Sequence, residues 1–321
     1  MKLARLVIAL LALALNAMLV MQSSAYAQGS NDCGVVRIGT VGWLDAGAVA
    51  ATASALLSGL GYKVSLKKLS TPVIFASLKN HNLDVTLEIM IPTMGNDIKP
   101  YILDNSIELI NKNLSGTKYS LAANSAATKL GLTSFEHIAA HGEALGYTIH
   151  GPEAGADGSL LIQNMISENR FGLGKFRFQA GSEDDLLARV SLSVRQDRPL
   201  VFLAWEPHSM NIRFDLHYLT DGDEVFGAKF GGADVYTGMR SSLVGACPNI
   251  EQLFKNLSFT LPMVNEIMTA ILEFKASPLV AAVAWIRQQP EVLNTWLEDV
   301  TTVDQKPGID AVQRFIGLTG E

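Results

Sequence analysis

The sequence predicts an α/β fold divided into two lobes. Short apolar segments alternate along the chain with helical stretches, which is typical of an open sheet flanked by helices. The 321 residues also exceed the length of one ordinary domain. The only two cysteines, Cys33 and Cys247, are far apart in the chain. In an exported protein an isolated pair indicates a disulfide, with two free buried thiols as the alternative. A disulfide would place both ends of the sequence in one lobe.

The first 27 residues have the pattern of a secretory signal peptide. Lys2 and Arg5 precede an apolar run that continues to Met21, and a small-x-small cleavage pattern ends at Ala27. An uncleaved N-terminal anchor is the alternative. No later apolar run approaches the length of a membrane span. We therefore expect an exported protein that is soluble after cleavage.

The part of the chain after the leader predicts three strands separated by helices. The strands are expected at residues 35–41, 63–69 and 83–91. Asp45 is placed to cap the alanine-rich helix that follows the first strand, and Pro72 lies at the start of the next helix. The third strand is a nearly continuous apolar run, as expected for burial on both faces, and Pro92 ends it.

A second set of elements follows and predicts an inserted lobe. Strands are expected at residues 118–124, 146–151, 175–180 and 199–205, with helices at about 158–169 and 184–194. Two further strands, at 215–220 and 233–240, lead back towards Cys247. The predicted organisation is a signal peptide at 1–27, lobe one at 28–117 plus 226–321, and lobe two at 118–225. Two chain crossings between lobes are typical of a hinge that closes on a ligand.

Two tryptophans at the ends of predicted strands have two interpretations, as walls of a cation site or as part of the core. Trp43 is followed closely by Asp45, and Trp205 is followed directly by Glu206. An aromatic face and a carboxylate both attract positive charge, and the ring also fits the methyl surface of a quaternary ammonium group. From spacing alone, however, packing of both rings in the core is the favoured interpretation, and the cation site is the alternative.

Composition and motifs argue against several other classes of protein. The formal net charge is −6 and the basic residues are not clustered, so we expect no nucleic-acid binding. No hydrolase, zinc-protease or phosphate-loop motif occurs. His137 and His141 are spaced for one helical face but lack a third ligand, and a solvated face is favoured. The glycine-rich segment at 151–159 is favoured as a tight connection over an anion site. We expect no enzymatic activity, no cofactor and no metal.

Seven segments together carry a resemblance to a known family. They are VGWLD at 41–45, MIPTM at 90–94, GTKYSLA at 116–122, VFLAWEPHSMN at 201–211, FGGADVYT at 230–237, CPN at 247–249 and NEIM at 265–268. The chain resembles the substrate-binding proteins of ABC importers for choline and glycine betaine, especially the periplasmic choline-binding branch. The resemblance implies a two-lobed type II periplasmic binding protein, monomeric, with Cys33 and Cys247 bonded. It also implies delivery of the ligand to an inner-membrane permease driven by a separate ATPase.

The resemblance also implies which residues bind the ligand. The family's aromatic cage corresponds to Trp43, Tyr119, Trp205 and position 90, and Asp45 corresponds to the carboxylate that faces the ligand's polar end. Position 90 is Met90 where the family has tryptophan, so one cation–π wall is missing.

Position 156 is a second departure. It is Ala156 where the family has an asparagine that bonds a ligand hydroxyl, and alanine cannot make this bond. Glu88 is an additional carboxylate within an apolar strand, for which ligand contact and an internal hydrogen bond are both open. These changes leave the identity of the ammonium ligand open. A periplasmic sensory receptor for a similar cation and a secreted enzyme on a related fold are the alternative functions.

Overall fold

The computed structural model describes residues 33–318, so the predicted signal peptide lies outside the described residues. The strands of the described part are β1 (Val35–Thr40), β2 (Lys63–Lys68), β3 (Val85–Ile91), β4 (Ile107–Leu114), β5 (Lys118–Asn124), β6 (Thr148–Gly151), β7 (Arg177–Ala180), β8 (Val201–Glu206), β9 (Leu216–Tyr218) and β10 (Asp234–Arg240). They form two five-stranded sheets. Both sheets mix parallel and antiparallel pairs, which confirms the α/β class.

The strand order shows how the chain passes between the sheets. The first sheet has the order β2-β1-β3-β10-β4, with β1 parallel to both neighbours and β10 antiparallel to both of its own. The second sheet has the order β7-β6-β8-β5-β9. The chain therefore leaves the first sheet after β4, builds the whole second sheet and returns as β10.

Helices cover both sheets. Within residues 33–318 they are α1 (Leu44–Gly59), α2 (Thr71–Lys79), α3 (Gly95–Leu103), α4 (Ser125–Thr128), α5 (Phe135–Ile138), α6 (Asp157–Ser167), α7 (Glu183–Arg195), α8 (Met210–Arg213), α9 (Asp223–Phe226), α10 (Ala228–Gly231), α11 (Pro248–Asn256), α12 (Leu261–Phe274), α13 (Pro278–Gln288), α14 (Val292–Trp296) and α15 (Gly308–Phe315). The C-terminal helices α12, α13 and α15 pack on α1. The alanines of α1 are mostly buried, and their small side chains allow these helices to approach closely.

A buried ion network ties the returning strand to the first sheet. Asp84 is almost fully buried, and its carboxylate accepts hydrogen bonds from Arg37 Nη2 at 2.7 Å and Arg240 Nε at 2.8 Å. Burial by itself would raise the pKa of Asp84, but the two guanidinium groups hold it below the usual value. Cys33 and Cys247 are both disulfide-bonded, as the family resemblance implies.

Two features of the first sheet differ from the sequence analysis. Strand β4 had no counterpart there, because its asparagines and lysine interrupt the apolar alternation. The expectation that Asp45 caps α1 is wrong: Trp43 occupies the N-cap, Asp45 lies in the first turn, and the cap makes no side-chain hydrogen bond.

The two connections between the sheets are bonded to each other. Thr117 lies between β4 and β5, and Ala233 lies just before β10. Thr117 Oγ1 donates to the Ala233 carbonyl and accepts from the Ala233 N–H, both at 2.9 Å. The segments that carry the chain from one sheet to the other therefore meet at one buried point.

Candidate functional site

One cleft of about 390 Å³ receives residues from both sheets. This volume is in the range of small-molecule binding sites. The seven residues selected from the sequence all line it: Trp43, Asp45, Glu88, Met90, Tyr119, Ala156 and Trp205. The first four belong to the segments of the first sheet and the last three to those of the second. The structure thus brings together residues that are scattered over most of the sequence.

The rings of Tyr119 and Trp205 are brought together by strand register. The two residues are directly opposite each other in the antiparallel pair β5–β8. Opposed residues present their side chains on the same face of a sheet. This pairing makes the two rings neighbours in the lining of the cleft.

The start of α6 holds the Tyr119 ring. The Gly158 N–H donates to Tyr119 Oη at 3.2 Å. A Cβ at position 158 would lie 2.7 Å from Tyr119 Cε1 and 2.6 Å from Leu203 Cδ2, closer than carbon atoms can pack. Glycine at this position therefore permits the contact between the helix and the ring.

A buried histidine supports Trp205. His208 is fully buried, and its ring packs edge-on against the Trp205 ring with 4.8 Å between centroids. Its Nδ1 accepts the Met210 N–H at 3.0 Å, so Nε2 carries the proton that is donated to Glu183 Oε1 at 2.9 Å.

Trp43 is the most exposed of the aromatic residues in the cleft. Half of its surface is accessible. It follows Gly42, whose φ of +85° strongly favours glycine and whose Cβ, if present, would overlap the Lys68 side chain. The turn at Gly42 therefore brings the end of β1 into α1 and leaves the Trp43 side chain half-exposed at the cleft.

Two carboxyl groups in the cleft, those of Asp45 and Glu88, have raised pKa values. Glu88 accepts from the Val41 N–H at 2.5 Å and from Thr40 Oγ1 at 3.2 Å. Burial nevertheless raises its pKa to about 8, and the charge of Asp45 adds to the shift. Burial also raises the pKa of Asp45 to about 6, against the effect of the nearby Ala46 N–H, and Asp45 Oδ1 is buried without a hydrogen-bond partner in the described part of the chain. Near neutral pH, Asp45 is thus the main negative charge of this pair.

The structure adds residues that the sequence analysis did not select as ligand-binding. They include Lys68, Asn113, Lys118, Glu153, Glu183 and Glu206. Lys118 forms an ion pair with Glu206 at 2.6 Å and lies 5.0 Å from the centre of the Tyr218 ring, so its charge is compensated. Glu206 was visible in the sequence beside Trp205, whereas Asn113 had no local signal.

Residues 33–318 contain no group of three or more His, Cys, Asp or Glu side chains that could hold a metal ion. His141, one of the two helical histidines, has both ring nitrogens directed at backbone carbonyls, of His137 at 2.8 Å and Leu130 at 2.9 Å. In the same residues, no helix has both the length and the apolarity to cross a membrane.

A cleft between two mixed β-sheets, lined by aromatic rings and carboxyl groups, is typical of a solute-binding protein. Residues 34–288 match the substrate-binding domain of ABC-type glycine betaine transport systems (OpuAC), and the chain belongs to this family. The resemblance found in the sequence is thereby confirmed, and the protein is a substrate-binding protein of an ABC-type transport system.

Solved structures agree with this assignment. A choline-binding protein of an ABC transporter, in complex with choline, is 44% identical, with 89% of this chain and 99% of that chain covered and a TM-score of 0.79. The ProX protein of Borrelia burgdorferi shares the fold at 19% identity, with 86% and 100% of the chains covered and a TM-score of 0.71.

Curated relatives match shorter stretches. The Listeria monocytogenes glycine betaine/carnitine transport binding protein GbuC is 29% identical over 163 residues, or 51% of this chain and 53% of that protein. An uncharacterized protein, ORF1, of Chromohalobacter salexigens is 36% identical over 132 residues, or 41% of this chain and 85% of its own length.

Proposed function

We propose that this protein captures choline or a related methylated ammonium compound in the cleft and delivers it unchanged to an inner-membrane permease with its ATPase. The observation that carries this proposal is the composition of the cleft. Trp43, Tyr119 and Trp205 offer aromatic faces, and Asp45 supplies the negative charge, around a space suited to a small solute. Rings and carboxylate both favour a cation that cannot donate hydrogen bonds from nitrogen.

Closure of the two lobes would couple ligand binding to a change in the conformation of the protein. The lobes correspond to residues 28–117 plus 226–321 and residues 118–225, and each contributes walls of the cage. Neither set of walls surrounds a cation alone, so the ligand stabilises the closed form. The paired connections at Thr117 and Ala233 are the candidate hinge.

The location and the assembly state are part of the same proposal. Cleavage after residue 27 releases a monomer into the periplasm, where it meets the permease. N-terminal sequencing of the exported protein tests the cleavage site, and size-exclusion chromatography with light scattering tests the monomer. The 44% identity to a choline-binding protein supports choline as the first ligand to examine. Because Met90 and Ala156 depart from the family pattern, other methylated ammonium compounds should be tested beside choline.

Tryptophan fluorescence provides the decisive test. The purified protein is titrated with choline, glycine betaine, carnitine and trimethylamine N-oxide, and a true ligand should change the emission saturably because Trp43 and Trp205 line the cleft. Trp285 is a matched control: its ring lies outside the cleft and its Nε1 donates to Glu266 at 2.6 Å. Trp285→Phe should keep the response, whereas Trp205→Phe should reduce it to the part that Trp43 contributes. A flat titration with every compound would exclude the ligand class, and recovery of altered choline would point to an enzyme.

A further inference from the structure

A second cavity lies in the second sheet and is separate from the ligand cleft. Its volume is about 390 Å³, which is in the range of small-molecule binding sites. Strands β6 and β7 and helix α7 supply most of its lining, and it shares no lining residue with the cleft. The polar side chains of the lining are those of His150, Gln179, Asp185 and Arg189.

Strand register places polar residues on one face of this sheet. His150 is opposite Gln179 in the parallel pair β6–β7, and the side chains of paired residues point to the same face. Arg177 precedes Gln179 by two residues and therefore shares this face. Ile149 and Phe178 point to the other face, where they pack in a core of apolar residues. An imidazole, an amide and a guanidinium group thus lie on the same side of two neighbouring strands.

Helix α7 forms the opposite wall of the cavity. Leu186, Arg189 and Leu192 recur every three residues, which places them along one side of the helix, and all three line the cavity. Leu186 is buried, whereas Arg189 is exposed. The guanidinium group of Arg189 is therefore accessible to a molecule that enters the cavity.

The basic groups of this region have unused hydrogen-bonding capacity. The side chains of His150, Arg177 and Arg189 have no hydrogen-bond or ion-pair partner in the described part of the chain. Burial, together with the charges of Arg189 and Arg177, lowers the pKa of His150 to about 4. Asp185 is engaged by Ser182, whose N–H and hydroxyl donate to its Oδ2 at 3.1 and 2.7 Å. The two guanidinium groups outnumber this carboxylate, so the charge balance favours an anion over a cation.

We propose that this cavity is a binding site for a small oxyanion, whose oxygens accept hydrogen bonds from the guanidinium group of Arg189 and from the imidazole of His150. A guanidinium group binds phosphate and carboxylate oxygens with paired hydrogen bonds. Phosphate, sulfate and carboxylate groups share this chemistry. The positive charge of Arg177, on the same face of the sheet, adds to the attraction. The site is distinct from the ammonium cleft, so both ligands can be bound at the same time.

Titration calorimetry with inorganic phosphate tests the site, with acetate as the carboxylate probe. The ionic strength is held constant with sodium chloride, and each titration is repeated in the presence of choline. Saturable one-to-one binding is expected in both conditions, and the tighter of the two anions shows which group the site prefers. Binding of neither anion would overturn the proposal. Loss of binding in the presence of choline would also overturn it, because the anion would then occupy the cleft.

Two variants of α7 locate the bound anion. Arg189→Gln should weaken binding about ten- to hundredfold, because a charge-assisted hydrogen bond is lost. Arg195→Gln is the matched control: Arg195 is exposed on the same helix, does not line the cavity, and its replacement changes the net charge equally. It should keep the affinity of the parent. Equal effects of the two variants would refute the assignment.

The imidazole of His150 gives a local readout in the parent protein, which does not depend on the folding of a variant. A bound anion favours the charged form of a neighbouring histidine, so phosphate should raise the pKa of His150 above its value of about 4. NMR of the ring C–H signals measures this change. The signals of His217, exposed on β9 at the opposite edge of the same sheet, should not shift when phosphate is added. An unchanged pKa of His150 at saturating phosphate would overturn the proposal.

Discussion

Replacing Glu88 with glutamine removes a titrating group from the cleft while keeping its shape. The amide oxygen of glutamine can still accept the Val41 N–H, and its nitrogen can donate to Thr40 Oγ1, so both contacts of Glu88 have a counterpart. The main change is therefore the loss of ionisation. The variant isolates the free energy that a buried carboxyl group costs when the pH rises.

The size of the effect follows from the raised pKa. The pKa of Glu88 is about 8 in the folded protein against an ordinary 4.5. Below pH 4.5 both states hold the proton and the group has no effect. Between the two values the unfolded chain releases its proton while the folded protein keeps it, so the free energy of unfolding falls by about 1.4 kcal/mol per pH unit. The accumulated loss above pH 8 is about 4 to 5 kcal/mol.

Urea denaturation of both proteins from pH 4.5 to 9 measures this loss. The free energy of unfolding of Glu88→Gln should exceed that of the parent by an amount that grows with pH and levels off near pH 8. Asp45→Asn is a useful second variant. The pKa of Asp45 is about 6 in the folded protein against an ordinary 3.8. The gain in free energy of unfolding of Asp45→Asn over the parent should therefore level off near pH 6 at about 3 kcal/mol. A difference between parent and Glu88→Gln that stays constant over pH 5 to 8 would refute the reasoning, because Glu88 would then be charged throughout.

Three further substitutions test the cage and the hinge. Met90→Trp should strengthen choline binding by about 0.5 to 2 kcal/mol by restoring an aromatic wall, and unchanged or weaker binding in the fluorescence titration would show that position 90 is not a cage wall. Gly158→Ala should weaken choline binding by displacing the Tyr119 ring, whereas Gly155→Ala, whose Cβ meets nothing within 4 Å, should leave it unchanged. Thr117→Val should lower the free energy of unfolding by about 1 to 3 kcal/mol, because both bonds to Ala233 are lost, and an unaltered urea midpoint would argue against the hinge contact.

The elements that could be predicted from the sequence are those with a strong local pattern. The apolar runs of β3 and β8 and the alanine-rich α1 stand out because burial demands apolar residues at regular spacing. Strand β4 did not stand out. Its buried Asn113 is polar, and its Nδ2 donates to the Leu87 carbonyl and to Thr237 Oγ1, which lie on other strands of the sheet and are distant in sequence.

The role of Asp45 shows the limit of local reasoning at the site. An acidic residue beside a helix start suggests a cap, but the helix begins two residues earlier than that role requires. The carboxyl group instead remains unpaired at Oδ1 in the cleft. Its raised pKa depends on how deeply the surrounding elements bury it, which no sequence pattern records.

The sequence by itself determined the α/β class through its alternating strand and helix patterns, and it determined the family and a set of cleft residues through the resemblance carried by its motifs. Tertiary structure alone decided how these residues act on one another. Strand register placed Tyr119 opposite Trp205. The hydrogen bond from the Met210 N–H set the tautomer of His208, whose ring packs against Trp205. Burial raised the proton affinity of Glu88 and left the oxygen of Asn113 unpaired. Such properties arise from the sum of neighbours distant in the chain, and so they exist only once the chain has folded.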